Sequence, residues 1–212
     1  GRSEGGAKAA ASHTGSLAGS DAVYDAAFRQ TGIFRADTVY DLVDALVALA
    51  NQPAAKGDRI GVLTNAGGPG VIAADTISLS GTSLASLEKP TMDLLSTVLP
   101  PIWSHNNPVD IIGDAPPDRY AKALQIAAAD QAADGMLVIL TPQAMTDPTE
   151  TARELAPYAH VAGKPVLASW MGGKDVQEGA GALRRAGIPT FDYPDTAARM
   201  FNYLWHASEY MR

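Results

Sequence analysis

The 212-residue sequence contains no cysteine, which excludes disulfide bonds, thiolate chemistry and cysteine-ligated metals among these residues and fits a cytoplasmic protein. Charged residues are also scarce, at 18% against the ~25% usual for soluble domains. The formal net charge of −7 gives no basic surface for nucleic acid or an anionic membrane. No run approaches ~18 consecutive apolar residues. The sequence therefore predicts a protein with neither nucleic-acid nor membrane partners.

Residues 1–6 contain neither an initiator methionine nor the apolar core of a signal peptide. We therefore expect the sequence to be an internal piece of a larger protein. Its length favours one complete domain and part of another, or two small domains. In residues 1–50, helical periodicity covers 21–27 and 39–50, and the apolar run between them, TGIFR (31–35), predicts a short strand. This is the pattern expected at the end of an α/β domain.

Residues 51–57 contain proline and glycine and predict a linker. In residues 58–212, short apolar runs alternate with helical segments, which predicts a flavodoxin-like α/β fold, a doubly wound parallel sheet with helices on both faces. The predicted strands are 59–64, 109–112, 136–140, 165–169 and 188–191. The first predicted helix of this region begins at about residue 71, and others lie near 117–131, 148–159, 175–187 and 194–210. One further helix is predicted within the less regular stretch 85–107.

Three loops follow predicted strands, where doubly wound sheets bind ligands. The loop TNAGGPG (64–70) has neither a P-loop lysine nor dinucleotide glycine spacing. It favours a backbone cradle for an anion or carboxylate at Ala66, Gly67 and Gly68, with Asn65 as a side-chain donor, although a tight turn explains it equally well. The loop TPQAMTDPTE (141–150) contains the signals of a helix start, and WMGGKD (170–175) repeats the strand-glycine-helix pattern.

Histidine chemistry is indicated at one position. His105, His160 and His206 have no pattern of partners around them, and the sequence contains neither a zinc-protease motif nor a serine-hydrolase elbow, so no metal site is predicted. His13 lies in a run of small residues, AAASHTGSLAG (9–19), which predicts an unshielded ring on a mobile loop. Such a ring is free to react, but loop histidines without a function are also common.

Four segments together resemble the ADP-forming acyl-CoA synthetases, the relatives of succinyl-CoA synthetase. Residues 1–3 and 7–19 resemble the phosphohistidine segment of that family, and TNAGGPG (64–70), NPVDIIG (107–113) and SWMGG (169–173) resemble loops of its CoA-ligase domain in the same order. The resemblance implies that an acyl-CoA and phosphate yield an acyl phosphate, a histidine takes the phosphoryl group, and ADP receives it. The acid is expected to be acetate or another short-chain acid.

In this family His13 would carry the phosphoryl group, since a neutral imidazole is a competent nucleophile near pH 7. Asn65 and Gly67 would lie near the acid, and loop 141–147 would offer backbone N–H groups to phosphate. This loop has Pro142-Gln143 where the succinyl enzyme has two glycines, which makes Gln143, Ala144 and Met145 weaker candidates for phosphate contact.

The family also implies parts outside these residues: a CoA-binding Rossmann-like domain, the carboxylate that orients the histidine, and an ATP-grasp domain or subunit. CoA, ATP or ADP, and Mg²⁺ would bind there, with none bound by this piece. The piece alone would be inactive and would belong to an oligomer. Two other classes stay open: a ligand-sensing region of a lysine acetyltransferase, and a flavodoxin-like binding domain without chemistry.

Overall fold

The computed structural model describes residues 2–14 and 19–210. Its first part consists of three helices: α1 (Glu4–Thr14), α2 (Asp21–Thr31) and α3 (Val39–Asn51). Helix α2 ends where Gly32 adopts a left-handed conformation, and α3 begins where the Thr38 hydroxyl accepts a hydrogen bond from the Asp41 N–H at 3.0 Å. The last residue of α3, Asn51, falls one position inside the predicted linker.

The prediction of a strand at 31–35 is wrong. Thr31 closes α2, and the residues that follow form no ladder with any strand in the described part of the chain. Their side chains pack instead: the Phe34 ring meets the Tyr203 ring edge-on, with centroids 6.3 Å apart, and Arg35 pairs with Asp21 and Asp25. Apolar residues alone do not make a strand, because a strand also needs a neighbour for its backbone groups.

The second part is a parallel α/β sheet, as predicted. Its strands are β1 (Arg59–Thr64), β2 (Ser83–Leu84), β3 (Val109–Asp110), β4 (Gly135–Leu140), β5 (Val166–Trp170) and β6 (Thr190–Phe191). Its helices are α4 (Gly67–Leu79), α5 (Lys89–Val98), α6 (Pro117–Ala129), α7 (Pro148–Leu155), α8 (Gln177–Arg185) and α9 (Pro194–Tyr210). Short 3₁₀ turns follow α7 and precede α8.

The strands run in the order β2-β1-β4-β5-β6, and every pairing is parallel. The short strands β2 and β3 share one side of β1, since β2 pairs with its start and β3 with its end. The predicted strand at 109–112 is therefore only two residues long. Because all strands are parallel, their carboxyl ends lie at one edge of the sheet.

Helices cover both faces of the sheet, and the strand residues alternate between two cores. Met136, Val138 and Leu140 of β4 pack with α5, α6, α7 and α8, whereas Leu137 and Ile139 pack with α3, α4 and α9. Strands β4 and β5 are buried along their whole length. This double covering explains why these strands are continuously apolar.

Helix α4 begins at Gly67, four residues before the predicted start. Three glycines made this stretch look like a loop, but Pro69 lies in the first turn, where a helix needs no N–H from it. None of the helices in the described residues combines the length and the apolar character needed to cross a membrane.

Candidate functional site

The loops selected from the sequence meet at the carboxyl edge of the sheet. The loop after β1 contacts the loop after β4, and the latter contacts the loops after β3 and β5. The loops follow β3, β1, β4 and β5, which pair in that order in one parallel sheet, so the topology alone brings them together.

Asn65 joins two of these loops. Its Nδ2 donates to the carbonyl oxygen of Thr141 at 2.8 Å, and its Oδ1 accepts from the Thr141 N–H at 2.9 Å and from the Thr141 hydroxyl at 3.1 Å. The residue is almost fully buried. Its side chain therefore holds the two loops in register, and its proposed part as a donor to a ligand stays a prediction.

The start of α4 offers backbone N–H groups to solvent. Gly67 and Gly68 are exposed, and the capping residue Ala66 has no side chain that could accept their hydrogen bonds. Within residues 2–14 and 19–210, neither N–H has an acceptor. Because the positive end of the helix dipole coincides with these groups, this turn suits an anion.

Gln143 and Pro142 are held by glycines of neighbouring loops. The Gln143 amide donates to the Asn65 carbonyl oxygen at 3.3 Å and lies against Gly113, where any Cβ would collide with it. Gly172 has a φ of 152°, and a Cβ there would lie 2.6 Å from Pro142 Cγ. Both glycines are therefore required for the loops to approach one another closely.

Loop 141–147 differs from the expected phosphate site in one respect. The Asp147 carboxylate accepts hydrogen bonds from the N–H groups of Thr149 (3.1 Å) and Glu150 (2.9 Å), so it already occupies the first turn of α7. Ala144 and Met145 lie on the exposed tip of the loop before it. The N–H groups that Asp147 leaves unused in this loop lie ahead of the helix, and phosphate contact by Gln143, Ala144 and Met145 stays a prediction.

In the segment NPVD (107–110), the Asn107 side chain has a structural role. Its Oδ1 accepts from the Val62 N–H at 2.9 Å, and its Nδ2 donates to the carbonyl oxygens of Ile60 (3.0 Å) and Ala85 (2.9 Å). This buried side chain thus bridges the gap beside β1 between β2 and β3. The Asn107 side chain thereby helps to position β3, whose last residue is Asp110.

Asp110 places a carboxylate opposite the start of α4. Its Oδ1 accepts from the Ile112 N–H at 3.0 Å, and its Oδ2 lies 3.6 Å from the place where a Cβ on Gly67 would stand. A cleft of about 250 Å³ separates the two elements. The cleft is lined by Thr64, Gly67, Gly70, Val71, Ser104, Asn106, Pro108 and Asp110.

Sequence reasoning missed Tyr120, which lies in α6 below these loops. Its hydroxyl donates to the Ile139 carbonyl oxygen at 3.3 Å. Burial raises the pKa of the Tyr120 hydroxyl, and the nearby charge of Asp110 raises it further. Tyr120 is thus a neutral donor to the backbone of β4, close to the carboxyl end of that strand. A tyrosine within a predicted helix gives no indication that its hydroxyl will reach the backbone of a strand.

His13 lies in the last turn of α1 rather than on a loop. Alanines at 7, 9, 10 and 11 favour the helix strongly enough to extend it through the histidine. The residue is exposed, as expected, whereas Gly15–Ala18 of the predicted segment lie outside the described residues. Within the described part of the chain, no hydrogen bond joins His13 to the carboxyl-edge loops. Nor do the described residues bring together three histidine, aspartate or glutamate side chains able to hold a metal ion.

A doubly wound sheet with a glycine-started helix and interlocked loops at its carboxyl edge defines a ligand-binding α/β protein. Comparison with known proteins makes the class specific. Residues 1–49 match the model of the succinyl-CoA ligase like flavodoxin domain, and residues 60–208 match that of the Ligase-CoA domain.

Three similar proteins cover nearly the whole chain. The ADP-forming acetate–CoA ligase I of Archaeoglobus fulgidus is 42% identical over 99% of this chain and 29% of its own length. The alpha subunit of the ADP-forming acetate–CoA ligase I of Pyrococcus furiosus is 38% identical over 99% of this chain and 46% of its own. An acetyl-coenzyme A synthetase 1 of Ca. Korarchaeum cryptofilum, solved with phosphate and ADP, gives a TM-score of 0.93 at 35% identity over 99% of this chain and 46% of its own.

The chain therefore belongs to the ADP-forming acyl-CoA synthetase family, related to succinyl-CoA synthetase. It spans less than half the length of these relatives.

Proposed function

We propose that the protein containing this chain is an ADP-forming acyl-CoA synthetase for acetate or another short-chain acid, with His13 as its phosphoryl carrier. The uncapped start of α4 carries the proposal. Gly67 and Gly68 present two N–H groups beside Asn65 and Gln143, and the alkyl side chain of Val71 lines the adjoining cleft. A small acid, or its acyl phosphate, needs anion donors next to a short apolar wall.

The reaction that these groups would serve has three steps. Phosphate attacks the thioester carbonyl, CoA leaves as the thiolate, and an acyl phosphate results. An imidazole nitrogen of His13 then attacks phosphorus, and the acid leaves as its carboxylate. Finally, a terminal phosphate oxygen of ADP takes the phosphoryl group and restores the neutral imidazole. The N–H groups of Gly67 and Gly68 would hold the carboxyl end of the acid during the first two steps.

The position of His13 shapes the second step. A phosphoryl group on His13 would place negative charge at the C-terminal end of α1, where the helix dipole disfavours anions by about 0.3–1 kcal/mol. The carrier therefore depends on donors from other elements. The backbone N–H groups of Gln143, Ala144 and Met145 are candidates, because they precede α7 and are not used by its Asp147 cap.

The proposed enzyme also uses CoA, a nucleotide and Mg²⁺, and the Mg²⁺ is expected to bind with the nucleotide phosphates. In the proposed enzyme, CoA and the nucleotide bind to a Rossmann-like domain and an ATP-grasp domain or subunit outside these 212 residues. The assembled enzyme is cytoplasmic and oligomeric.

The decisive experiment incubates the full-length enzyme with γ-labelled ATP. We expect a covalent phosphate that is labile in acid and stable in base, and complete loss of that label in His13→Ala. His160→Gln is the matched control, because His160 is also exposed but lies in the sheet domain. Label that persists in His13→Ala, or that is lost equally in His160→Gln, contradicts the proposal.

A further inference from the structure

The stretch between the two family matches contains a buried glutamine. Gln52 directly follows α3, and only 6% of its surface is exposed. Its Nε2 donates to the carbonyl oxygens of Ala159 (3.1 Å) and Gly187 (2.5 Å), and its Oε1 accepts from the Val166 N–H at 2.8 Å. Both amide hydrogens and the oxygen are thereby used.

The three partners of Gln52 belong to the sheet domain. Val166 opens β5, Gly187 comes shortly before β6, and Ala159 follows α7. The glutamine side chain thus completes backbone hydrogen bonding at the amino ends of two strands, at the edge opposite the candidate site. A few residues later the Ala55 N–H donates to the Leu204 carbonyl oxygen of α9 at 3.1 Å, and Ala55 is fully buried.

These contacts extend back to the helix that bears His13. Ala45 and Ala48 of α3 are buried in the core beside α9, and Asp41 lies 3.6 Å from Arg199 of α9. Arg2, ahead of α1, pairs with Asp37, just before α3. Buried contacts therefore join α3 to the sheet domain, with Gln52 as their most buried polar link, and the exposed Arg2–Asp37 ion pair joins the segment just before α1 to the residues just before α3.

We propose that Gln52 is a positioning residue that fixes α3 on the sheet domain, and through α3 the N-terminal segment that carries His13. Residues 51–58 then act as a rigid joint instead of a flexible linker. The link to phosphoryl transfer rests on the proposed function, whereas the rigidity of the joint does not.

Distances between spin labels test the rigidity. In the full-length protein, with no other reactive cysteine, labels are placed on Tyr40 of α3 and Leu79 of α4, which are 84% and 88% exposed. We expect one narrow distance distribution that stays the same when acyl-CoA and phosphate are added. Gln52→Ala should broaden it at least twofold. Asn51→Ala is the matched control and should leave the distribution unchanged, because the exposed Asn51 side chain donates to the Val47 carbonyl oxygen of its own helix.

A distance distribution that is broad or changes with ligand in the parent protein would overturn the proposal of a rigid joint. A distribution in Gln52→Ala as narrow as that of the parent protein would overturn the role of Gln52. If Gln52→Ala does not fold, amide exchange in the parent protein decides. The Val166 N–H should exchange at least a hundredfold more slowly than an exposed loop amide, and exchange at the loop rate would overturn the proposal.

Phosphorylation kinetics test the positioning. Gln52→Ala should slow His13 labelling by about tenfold at saturating ATP, since small misplacements of a reacting group cost this much or more. Asn51→Ala should label at the parent rate. Equal rates in a folded Gln52→Ala protein would overturn the positioning role. Absence of label in the parent protein would instead refute the proposed function and leave the distance result standing.

Discussion

The N-terminal helices and the sheet domain differ in how much of their apolar surface they bury. Helix α2 has no buried residue, and α3 buries only Ala45 and Ala48, whereas strands β4 and β5 are buried throughout. The first region is held by ion pairs and a few small contacts, and the second by two cores. The histidine expected to react lies in the first region, and the backbone expected to bind lies in the second. Within this chain, the region expected to bind has two extensive cores, and the region expected to react packs against one of them through α3.

The largest expected effect contrasts two leucines. Leu137→Ala in β4 removes a fully buried side chain and should lower the free energy of unfolding by about 2–5 kcal/mol. Leu46→Ala in α3, where the leucine is 60% exposed, should change it by less than about 0.5 kcal/mol. Urea denaturation of the purified protein measures both. An equally large loss for Leu46→Ala would show that this face of α3 is covered in the assembled protein, and the contrast would fail.

The next effect concerns the link between the site loops. Asn65→Ala removes all three hydrogen bonds to Thr141 and should raise the KM for the acid about tenfold, with the KM for ADP unchanged. Thr141→Val removes only the hydroxyl contact and should have a smaller effect in the same direction. Steady-state kinetics of the full-length enzyme provide the measurement. An equal rise in both KM values would place Asn65 outside acid binding.

The same contrast explains what the sequence could predict. In residues 58–210 each strand pairs with at least one other, so apolar runs and glycine loops sufficed to predict the parallel sheet, except for the two-residue strand β2. At 31–35 the segment TGIFR forms no strand, because no strand lies beside it in the described residues. The contacts of Asn65, Asn107 and Gln52 could not be foreseen, since their partners lie 22 to 135 residues away. Local sequence also gave no sign of Tyr120.

A smaller effect is expected at the start of α4. Gly67→Ala would place a methyl group 3.6 Å from Asp110 Oδ2, at the mouth of the cleft, whereas Gly68→Ala would meet nothing within 4 Å. Both substitutions change helix propensity by the same amount. A difference in KM between the two variants therefore reports the effect of the added methyl group in the cleft. We expect the KM for the acid to rise several-fold, by about 1 kcal/mol of binding, for Gly67→Ala only. Matched KM values for the two variants would argue that the acid does not reach this cleft.

The smallest effect compares two aspartates, one from each region. A hydrogen bond from Arg35 lowers the pKa of the Asp25 carboxyl, whose side chain is 40% exposed. Burial raises the pKa of the Asp130 carboxyl, but hydrogen bonds from Thr91 and from the N–H groups of Ala132 and Glu88, together with Lys164, outweigh burial and leave the pKa low. Asp130 is only 3% exposed.

Both aspartates therefore stabilise the fold above the ordinary carboxyl pKa of about 3.9, and this stabilisation is lost as the pH falls through their lowered values. In about 1 M salt, where the Debye length is ~3 Å, the pKa of Asp25 should rise toward the ordinary value because its ion pair is accessible to solvent. The pKa of Asp130 should stay unchanged, since its carboxylate accepts from the backbone N–H groups of Ala132 (2.7 Å) and Glu88 (2.8 Å), and salt does not screen these buried hydrogen bonds. NMR titration of the carboxyl carbons at low and high salt distinguishes the two. A parallel rise at both residues would mean that the two regions do not differ in how they hold their charges.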